Sequence, residues 1–92
     1  MISRRAIKDF GANYQDAVPS LSNWFGIVRK AAWRNFAELR KDFGSADQVG
    51  RRTVFNIAGN KYRLIARVNY QTQRTFILLI MKHAEYEKGE WK

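Results

Sequence analysis

The sequence predicts an α+β domain, in which N-terminal helices pack on one side of a small antiparallel sheet of three strands joined as a meander. Through the first half, apolar residues recur every three or four positions, which is the spacing of amphipathic helices. From residue 53 onward the apolar period changes to two, which is typical of strands. Two short turns separate three such runs, so neighbouring strands should be antiparallel. A chain of 92 residues is expected to form one domain, residues 1–92, with one modest core.

Three helices are predicted before residue 45. Ile7, Phe10 and Tyr14 share one face of the first helix. The second helix begins near Pro19, because proline lacks an N–H that the first turn of a helix does not need. The third extends from Trp33 to Phe43. Large apolar side chains at helical spacing are normally buried, so we expect them to form the core. The apolar stripe of the second helix consists of Leu21, Trp24, Phe25 and Val28.

The three predicted strands occupy residues 53–57, 61–70 and 74–82, with AGN and QTQ as the turns between them. The last of these, RTFILLIMK, is apolar on both faces. We therefore expect it to be central in the sheet or covered by the helices.

The middle strand, KYRLIARVNY, alternates clearly between two faces. The helix-facing side should carry Tyr62, Leu64, Ala66, Val68 and Tyr70. The opposite side should carry Lys61, Arg63, Ile65, Arg67 and Asn69. Its three cations stand in a row in which side chains recur about 6.6 to 7 Å apart, close to the spacing of phosphates in an extended single strand. This favours an anion-binding face over a merely solvated one, and Asn56 and Arg74 on neighbouring strands could extend it.

The charge of the chain points to a polyanionic partner. Seventeen Lys and Arg residues against eight Asp and Glu residues give a formal net charge of +9. On a small domain such an excess favours nucleic acid or an acidic protein, because neutralising phosphates releases counterions. A basic surface that only maintains solubility is the alternative.

Several classes of protein are excluded or disfavoured by composition. The absence of cysteine excludes disulfides, thiol nucleophiles and zinc–thiolate sites. One histidine with scattered carboxylates does not favour a metal site, and no glycine-rich phosphate loop is present, so no cofactor is expected. The longest apolar stretch, Phe76 to Met81, is too short to span a bilayer, and the N-terminus lacks the apolar middle of a signal peptide. We therefore expect a cytoplasmic protein without a membrane partner.

The last ten residues, HAEYEKGEWK, contain the only histidine. Tyr86 lies one helical turn after His83 if this segment forms a short helix. Histidine can transfer a proton near neutral pH, and tyrosine can stack on a base or help to transfer a proton. With Arg63 and Arg67 to stabilise a pentavalent phosphate, these residues are the set needed by a metal-free ribonuclease, which activates the RNA 2′-hydroxyl and protonates the leaving 5′ oxygen. A structural histidine in a basic binding module is the alternative.

Three stretches of the chain together resemble the HigB family of toxins from bacterial type II toxin–antitoxin systems, within the broader RelE-like group. They are WRNFAELRKDFGSAD, ADQVGRRTVFNIAGNKYRLIARVNY and KHAEYEKGEWK. The resemblance implies a RelE-like α+β fold whose curved antiparallel sheet faces RNA. It implies an mRNA interferase that cuts messages on the translating ribosome. It also implies a partner antitoxin, HigA, which is a helix-turn-helix protein that neutralises the toxin.

The resemblance also assigns roles to residues. Arg63 and Lys61 would bind the scissile phosphate, and His83 would act as acid or base. Tyr86 would stack on a base or transfer a proton, and Trp91 would pack the end of the chain or touch RNA. Asn56 and Asn60 could be structural. RNA contacts outside the catalytic set are expected from Arg67, Asn56, Arg74, Lys82, Lys88 and Lys92.

One position departs from the family pattern. Relatives commonly carry a basic residue in the middle of the third predicted strand, where this chain has Leu78, and a threonine where it has Lys82. Loss of one charged donor to a transition state costs about a hundred- to thousandfold in rate. Leu78 therefore keeps a second hypothesis open, which is a non-catalytic module that binds RNA or the ribosome and blocks translation without cleavage.

Overall fold

The computed structural model of the chain describes residues 5–59, 61–89 and 91. Within them, helices occupy the first half, four strands follow, and a short helix comes after the last strand. None of the described helices is long and apolar enough to cross a lipid bilayer. The elements in chain order are α1 (Arg5–Asn13), a 3₁₀ turn (Gln15–Ala17), α2 (Val18–Lys30), α3 (Phe36–Asp42), β1 (Asp47–Val49), β2 (Arg52–Ile57), β3 (Tyr62–Asn69), β4 (Arg74–Lys82) and α4 (His83–Lys88).

The strands form one antiparallel sheet in the order β1-β2-β3-β4, so each strand pairs with its neighbours in sequence. The α+β class and the meander are confirmed, but the prediction of three strands is wrong, since the described residues contain four. The additional strand, β1, pairs with β2 across a two-residue turn that begins with Gly50 at φ 62°. Glycine adopts positive φ without strain and is favoured at this position. A strand of three residues is too short to show a period of two in the sequence.

The sequence predicts that the last strand, β4, is central or covered by the helices; it lies at an edge of the sheet, and the helices cover one of its faces. Leu79 pairs with Ile65 and Ile77 pairs with Ala66, so Leu78 is an additional residue in a β-bulge. Ile77 packs against the core under the helices. Leu78 and Leu79 are each 43% exposed. The helices therefore cover only one side of β4, and its apolar composition does not indicate burial on both sides.

The main core lies between the helices and the sheet, as predicted. Tyr62, Leu64 and Ala66 of β3 are buried there. The Trp24 ring meets the Phe55 ring edge-on, with centroids 5.3 Å apart. Full burial of each large apolar side chain contributes about 1.5–3 kcal/mol to folding. The other buried members of this core are Ala17, Leu21, Val28, Trp33, Leu39, Ala46 and Ile57.

Local sequence features explain where the helices begin. Pro19 lies in the first turn of α2, as predicted. The third predicted helix starts three residues later than expected, after Asn35, whose side-chain oxygen accepts a hydrogen bond from the Glu38 N–H at 3.0 Å and caps α3. Trp33 therefore lies outside the helix, and its indole N–H donates to Asp42 at 2.8 Å.

The other face of the sheet is partly covered by the end of the chain. Val54, Ile65 and Met81 form a second buried cluster there, against which Tyr86 and Trp91 pack. We call this surface the tail face. The sequence predicts an open row of cations on the tail face. In the structure, the C-terminal residues cover one end of this row and bury part of β3. By strand register the tail face contains Val54, Asn56, Arg63, Ile65, Arg67, Asn69, Arg74, Phe76, Leu79 and Met81.

Asp16, in the 3₁₀ turn, connects the helices to the start of β3. Its Oδ1 accepts a hydrogen bond from the Tyr62 hydroxyl at 2.6 Å, and its Oδ2 lies 3.5 Å from Lys61 Nζ. The hydrogen bond from Tyr62 lowers the pKa of the Asp16 carboxyl below its usual value of 3.8. The same bond raises the pKa of Tyr62 to about 12. Both shifts arise because the bond favours an ionised acceptor and a protonated donor.

Asp16→Ala is expected to lower the melting temperature most at neutral pH. Because the pKa of Asp16 is lower in the folded chain, its contribution is present above the unfolded value of 3.8 and is lost as pH falls through the folded value. Circular dichroism melts should therefore show a difference from the unaltered chain that is constant between about pH 6 and 8 and shrinks below 3.8. Asp16→Asn, which keeps an acceptor for Tyr62, is the matched control. A difference undiminished at pH 3 would contradict this role.

Candidate nucleic-acid interface

Arg63, near the start of β3, lies beneath the C-terminal residues. It is only 7% exposed, and its Cζ lies 5.4 Å from the centre of the Tyr86 ring. Its Nη1 also donates to the Tyr62 carbonyl at 3.1 Å. A guanidinium over an aromatic face is attracted by the ring electrons, and exclusion of water strengthens that attraction. The structure thus brings together two predicted site residues that are 23 positions apart in the sequence.

The Tyr86 ring is held from more than one side. It stacks on Trp91, with centroids 5.0 Å apart and planes 15° from parallel. The Trp91 indole N–H donates to the Tyr86 carbonyl at 3.0 Å, and Arg52 Nη1 donates to the Trp91 carbonyl at 2.7 Å. Trp91 therefore packs the end of the chain onto the sheet. Trp91 and Arg63 both lie against the Tyr86 ring. An RNA base can therefore stack on this ring only if one of them moves, whereas proton transfer by the Tyr86 hydroxyl needs no such movement.

His83 is the first residue of α4, so the predicted short helix is confirmed. Its backbone N–H donates to the Lys61 carbonyl at 2.8 Å, which anchors the start of α4 beside the first residues of β3. The imidazole Nε2 lies 3.1 Å from Glu87 Oε1, one turn further along the helix. Exposed pairs at this spacing contribute only about 0.2–0.5 kcal/mol, so a substrate can replace the carboxylate. Tyr86 lies on the next turn after His83.

The sequence predicts Lys61 on the face opposite the helices, but its exposed side chain reaches toward the helical layer instead. Its Nζ lies 3.5 Å from Asp16 Oδ2, in a pair whose side chains are both more than half exposed. Ion pairs of this kind contribute about 0.2–1 kcal/mol at most. The ammonium group can therefore exchange the carboxylate for a phosphate, while the Lys61 backbone stays bonded to His83.

Three of the predicted RNA contacts are exposed on the tail face. Asn56 is paired with Arg63 across β2 and β3, and Arg67 with Phe76 across β3 and β4. Arg74 begins β4. Side chains of paired residues in an antiparallel sheet lie on the same face. The structure therefore places these three residues on the same surface as Arg63.

The remaining predicted contacts are placed otherwise. Lys82 pairs with Tyr62 on the helix side of the sheet, and its Nζ lies 5.2 Å from the centre of the Tyr14 ring. The structure does not bring it to the face that carries Arg63. Lys88 is exposed in the last turn of α4. Lys92, like Asn60, lies outside the described residues.

Phe76 is a residue of the tail face that reasoning from the sequence missed. It is 49% exposed, although it lies in the most apolar run of the chain. Its spacing of two residues from Arg74 is the signal that could have revealed it, because alternate residues of a strand share a face. The expectation that this run is central or covered by the helices concealed that signal.

The described part of the chain has no candidate metal site. Within residues 5–59, 61–89 and 91, no group of three His, Asp and Glu side chains is arranged to hold a metal ion. A groove of about 410 Å³ between α1 and α2 lies in the helical layer instead. It is lined by Ile7, Lys8, Gly11, Val18, Ser22 and Phe25.

Comparison with known families shows which family the chain belongs to. The model of the HigB toxin family, described as the RelE-like toxic component of a toxin–antitoxin system, matches residues 17–89. This chain belongs to the HigB family. The predicted family resemblance is thereby confirmed. The matched segment includes Asn56, Lys61, Arg63, His83 and Tyr86.

Curated HigB proteins match nearly the whole chain. The chain is 28% identical over 90 residues to the mRNA interferase toxin HigB of Escherichia coli K12, covering 95% of this chain and 86% of that protein. The same figures hold for the mRNA interferase HigB of Shigella flexneri. For the mRNA interferase HigB of Escherichia coli O6:H1 strain CFT073, the identity is 26% over 91 residues, covering 96% and 88%. As a HigB family member, the chain is the toxic component of a toxin–antitoxin system and has an antitoxin as its partner.

Proposed function

We propose that this HigB toxin is a metal-independent endoribonuclease that cuts mRNA. Its curated relatives are named mRNA interferases. The contact between Arg63 and the Tyr86 ring carries this proposal, because it places a guanidinium beside the helix that bears His83. A cation for the phosphate and two groups that can move protons are thus within one small region. These are the groups that cleavage of an RNA phosphodiester requires.

The reaction begins with the 2′-hydroxyl of the nucleotide before the cut. A base removes its proton as the 2′ oxygen attacks phosphorus, and an acid protonates the 5′ oxygen as its bond to phosphorus breaks. The products are a 2′,3′-cyclic phosphate and a 5′-hydroxyl end. Negative charge grows on the non-bridging oxygens in the transition state, where preorganised cations have their largest effect.

The residues divide these tasks by their positions. Arg63 is held by protein contacts and partly shielded from water, so it meets the developing charge without reorganising. Lys61 is exposed immediately before the same strand and can exchange Asp16 for a phosphate oxygen. His83 and the Tyr86 hydroxyl supply acid and base, one helical turn apart.

The cellular context of the proposal follows the family resemblance. The substrate is mRNA on the translating ribosome, in the cytoplasm, and the partner is a HigA-type helix-turn-helix antitoxin. The net charge of +9 supports binding to the phosphate-rich ribosome and message. A domain with this charge should bind RNA less tightly as salt concentration rises.

The second candidate function is a ribosome-binding toxin that blocks translation without cutting. Leu78 favours it, because this position carries no cation and its side chain is 43% exposed on β4. Without a cation at position 78, the toxin could still bind RNA or the ribosome while stabilising the transition state of RNA cleavage poorly.

Primer extension on ribosome-bound message distinguishes the two functions. Expression of the toxin without antitoxin is expected to stop growth and to produce discrete new 5′ ends within translated messages. The same ends should appear when the purified toxin is added to ribosomes programmed with one message. Growth arrest with intact, stalled messages would overturn the endoribonuclease and support occupancy alone.

A further inference from the structure

We propose that Phe76 is a stacking platform for one base of the RNA substrate, a few nucleotides from the bond that is cut. This inference rests on the proposed function and adds to it a residue that contacts a specific nucleotide. Phe76 is 49% exposed on the tail face, although exposure of a phenyl ring to water is unfavourable. Within the part of the chain that the structure describes, no other ring packs on it.

Two arginines lie next to this ring on the tail face, one across the strand pair and one along β4. Arg67 is paired directly with Phe76, so their Cβ atoms are about 4.5–5.5 Å apart. Arg74 lies two residues before Phe76 on β4, which places its side chain about 6.6–7 Å away on the same face. Both arginines are exposed. An aromatic ring with two cations beside it suits a nucleotide, whose base stacks on the ring while neighbouring phosphates meet the guanidinium groups.

The bulge in β4 extends the apolar surface beside the ring. Because Leu78 is an additional residue, both Leu78 and Leu79 lie off the helix side, each 43% exposed. Leu79 is on the tail face, as is Phe76, and adds exposed apolar surface there. The tail face is therefore suited to hold a base by its ring face.

The position along β3 relates this platform to the cut. Arg67 lies four residues after Arg63, which is about 13 Å along the strand. If successive phosphates of an extended RNA strand each contact every second residue of β3, the RNA advances by about half that distance per nucleotide. A base on Phe76 thus lies about two nucleotides from the phosphate at Arg63. Tyr86, the other candidate for stacking, already has Arg63 and Trp91 against its ring.

An antitoxin segment is the other occupant that an exposed apolar surface could accept. The described neighbours of Phe76 on the tail face favour RNA, because the two charged ones, Arg67 and Arg74, are both cations. Charge alone does not separate RNA from an acidic peptide. Stacking does, because it needs a planar ring and not just an apolar side chain.

The test measures cleavage of a message on programmed ribosomes, with single abasic nucleotides placed at each position within four nucleotides of the mapped cut. For the unaltered toxin, one abasic position about two nucleotides away should slow cleavage about 5- to 150-fold. Phe76→Ala should slow cleavage of the intact message by a similar factor, and the abasic nucleotide should then add no further loss, because ring and base belong to one interaction.

Matched variants separate stacking from other effects. Phe76→Tyr, which keeps a ring, should cleave like the unaltered toxin, whereas Phe76→Leu, which keeps apolar surface without a ring, should be as slow as Phe76→Ala. Val18→Ala removes an apolar side chain of similar exposure, 40%, from α2 in the helical layer and should change nothing. Melting temperatures of all four variants report whether the fold is retained.

Several results would overturn the inference while leaving the endoribonuclease intact. They are full activity of Phe76→Leu, cleavage unaffected by any abasic position, or loss of antitoxin binding by Phe76→Ala with unchanged cleavage, which would make the patch a protein contact. Absence of cleavage by the unaltered toxin on intact message would instead overturn the proposed function, and the inference with it.

Discussion

His83→Ala is expected to lower the rate of mRNA cleavage by about a hundred- to ten-thousandfold, which is the usual effect of removing a general acid or base. The fold should remain, because His83 is at the start of α4 and its side chain is 38% exposed. Its anchoring hydrogen bond to Lys61 comes from the backbone and is kept in the variant. The measurement is the single-turnover rate of cleavage on programmed ribosomes, with ribosome binding followed separately. Binding should change little, so the loss should be in the rate of the bound complex.

His83→Gln is the first control, because it keeps a polar side chain but cannot transfer a proton near neutral pH. It should be as slow as the alanine variant. Lys88→Ala, on the last turn of the same helix, should reduce affinity modestly and leave the rate of the bound complex unchanged. Undiminished toxicity and cleavage with alanine at position 83 would remove His83 from the mechanism.

Arg63→Ala is expected to lower cleavage by about a hundred- to thousandfold through loss of transition-state stabilisation. This variant also removes the partner of the Tyr86 ring, and a desolvated cation–π contact contributes about 2 kcal/mol. Some loss of stability is therefore expected as well. Cleavage rates, melting temperatures and the near-ultraviolet circular dichroism of the Tyr86–Trp91 stack should be measured together, because the last reports whether the end of the chain remains packed on the sheet.

Two variants distinguish catalysis from structural support. Arg63→Lys keeps a cation but not the planar guanidinium, and it should restore part of the packing and only part of the rate. Arg67→Ala removes an exposed cation from the same face. It should weaken binding and reduce the salt slope of log affinity by about 0.7, with little effect on the rate of the bound complex. If Arg63→Ala cleaved normally while its near-ultraviolet spectrum changed, Arg63 would be a structural residue only.

The sequence predicts the helical layer well because local rules govern it. Each of these signals depends only on residues a few positions apart. They are Pro19 and the apolar stripe in α2, and the period of two in β3. The capping of α3 by Asn35 shows the limit of this reasoning. The helix begins after this side-chain hydrogen bond, three residues later than predicted. Strand β1 has three residues and depends on its pairing with β2, which is not encoded in its own pattern.

The site is less predictable because its geometry depends on contacts between distant residues. The alternation in β3 shows that Arg63 and Arg67 share a face, but not that Trp91 and Tyr86 cover one of them. Burial of Ile65 beneath that cover explains why the row of cations is interrupted. The edge position of β4 depends on the whole sheet, and for that reason the exposure of Phe76 was not foreseen.

The packing of the C-terminal residues onto the sheet has a consequence for how this toxin comes into being. Val54, Ile65 and Met81 acquire their cover, and Arg63 its aromatic neighbour, only from residues that follow β4. While those residues are still within the exit tunnel of the ribosome that makes them, the emerging sheet has bare apolar side chains and lacks its proposed proton donors. On the proposed function, the site is complete only after these residues have left the tunnel, and a copy terminated before His83 should not cleave mRNA.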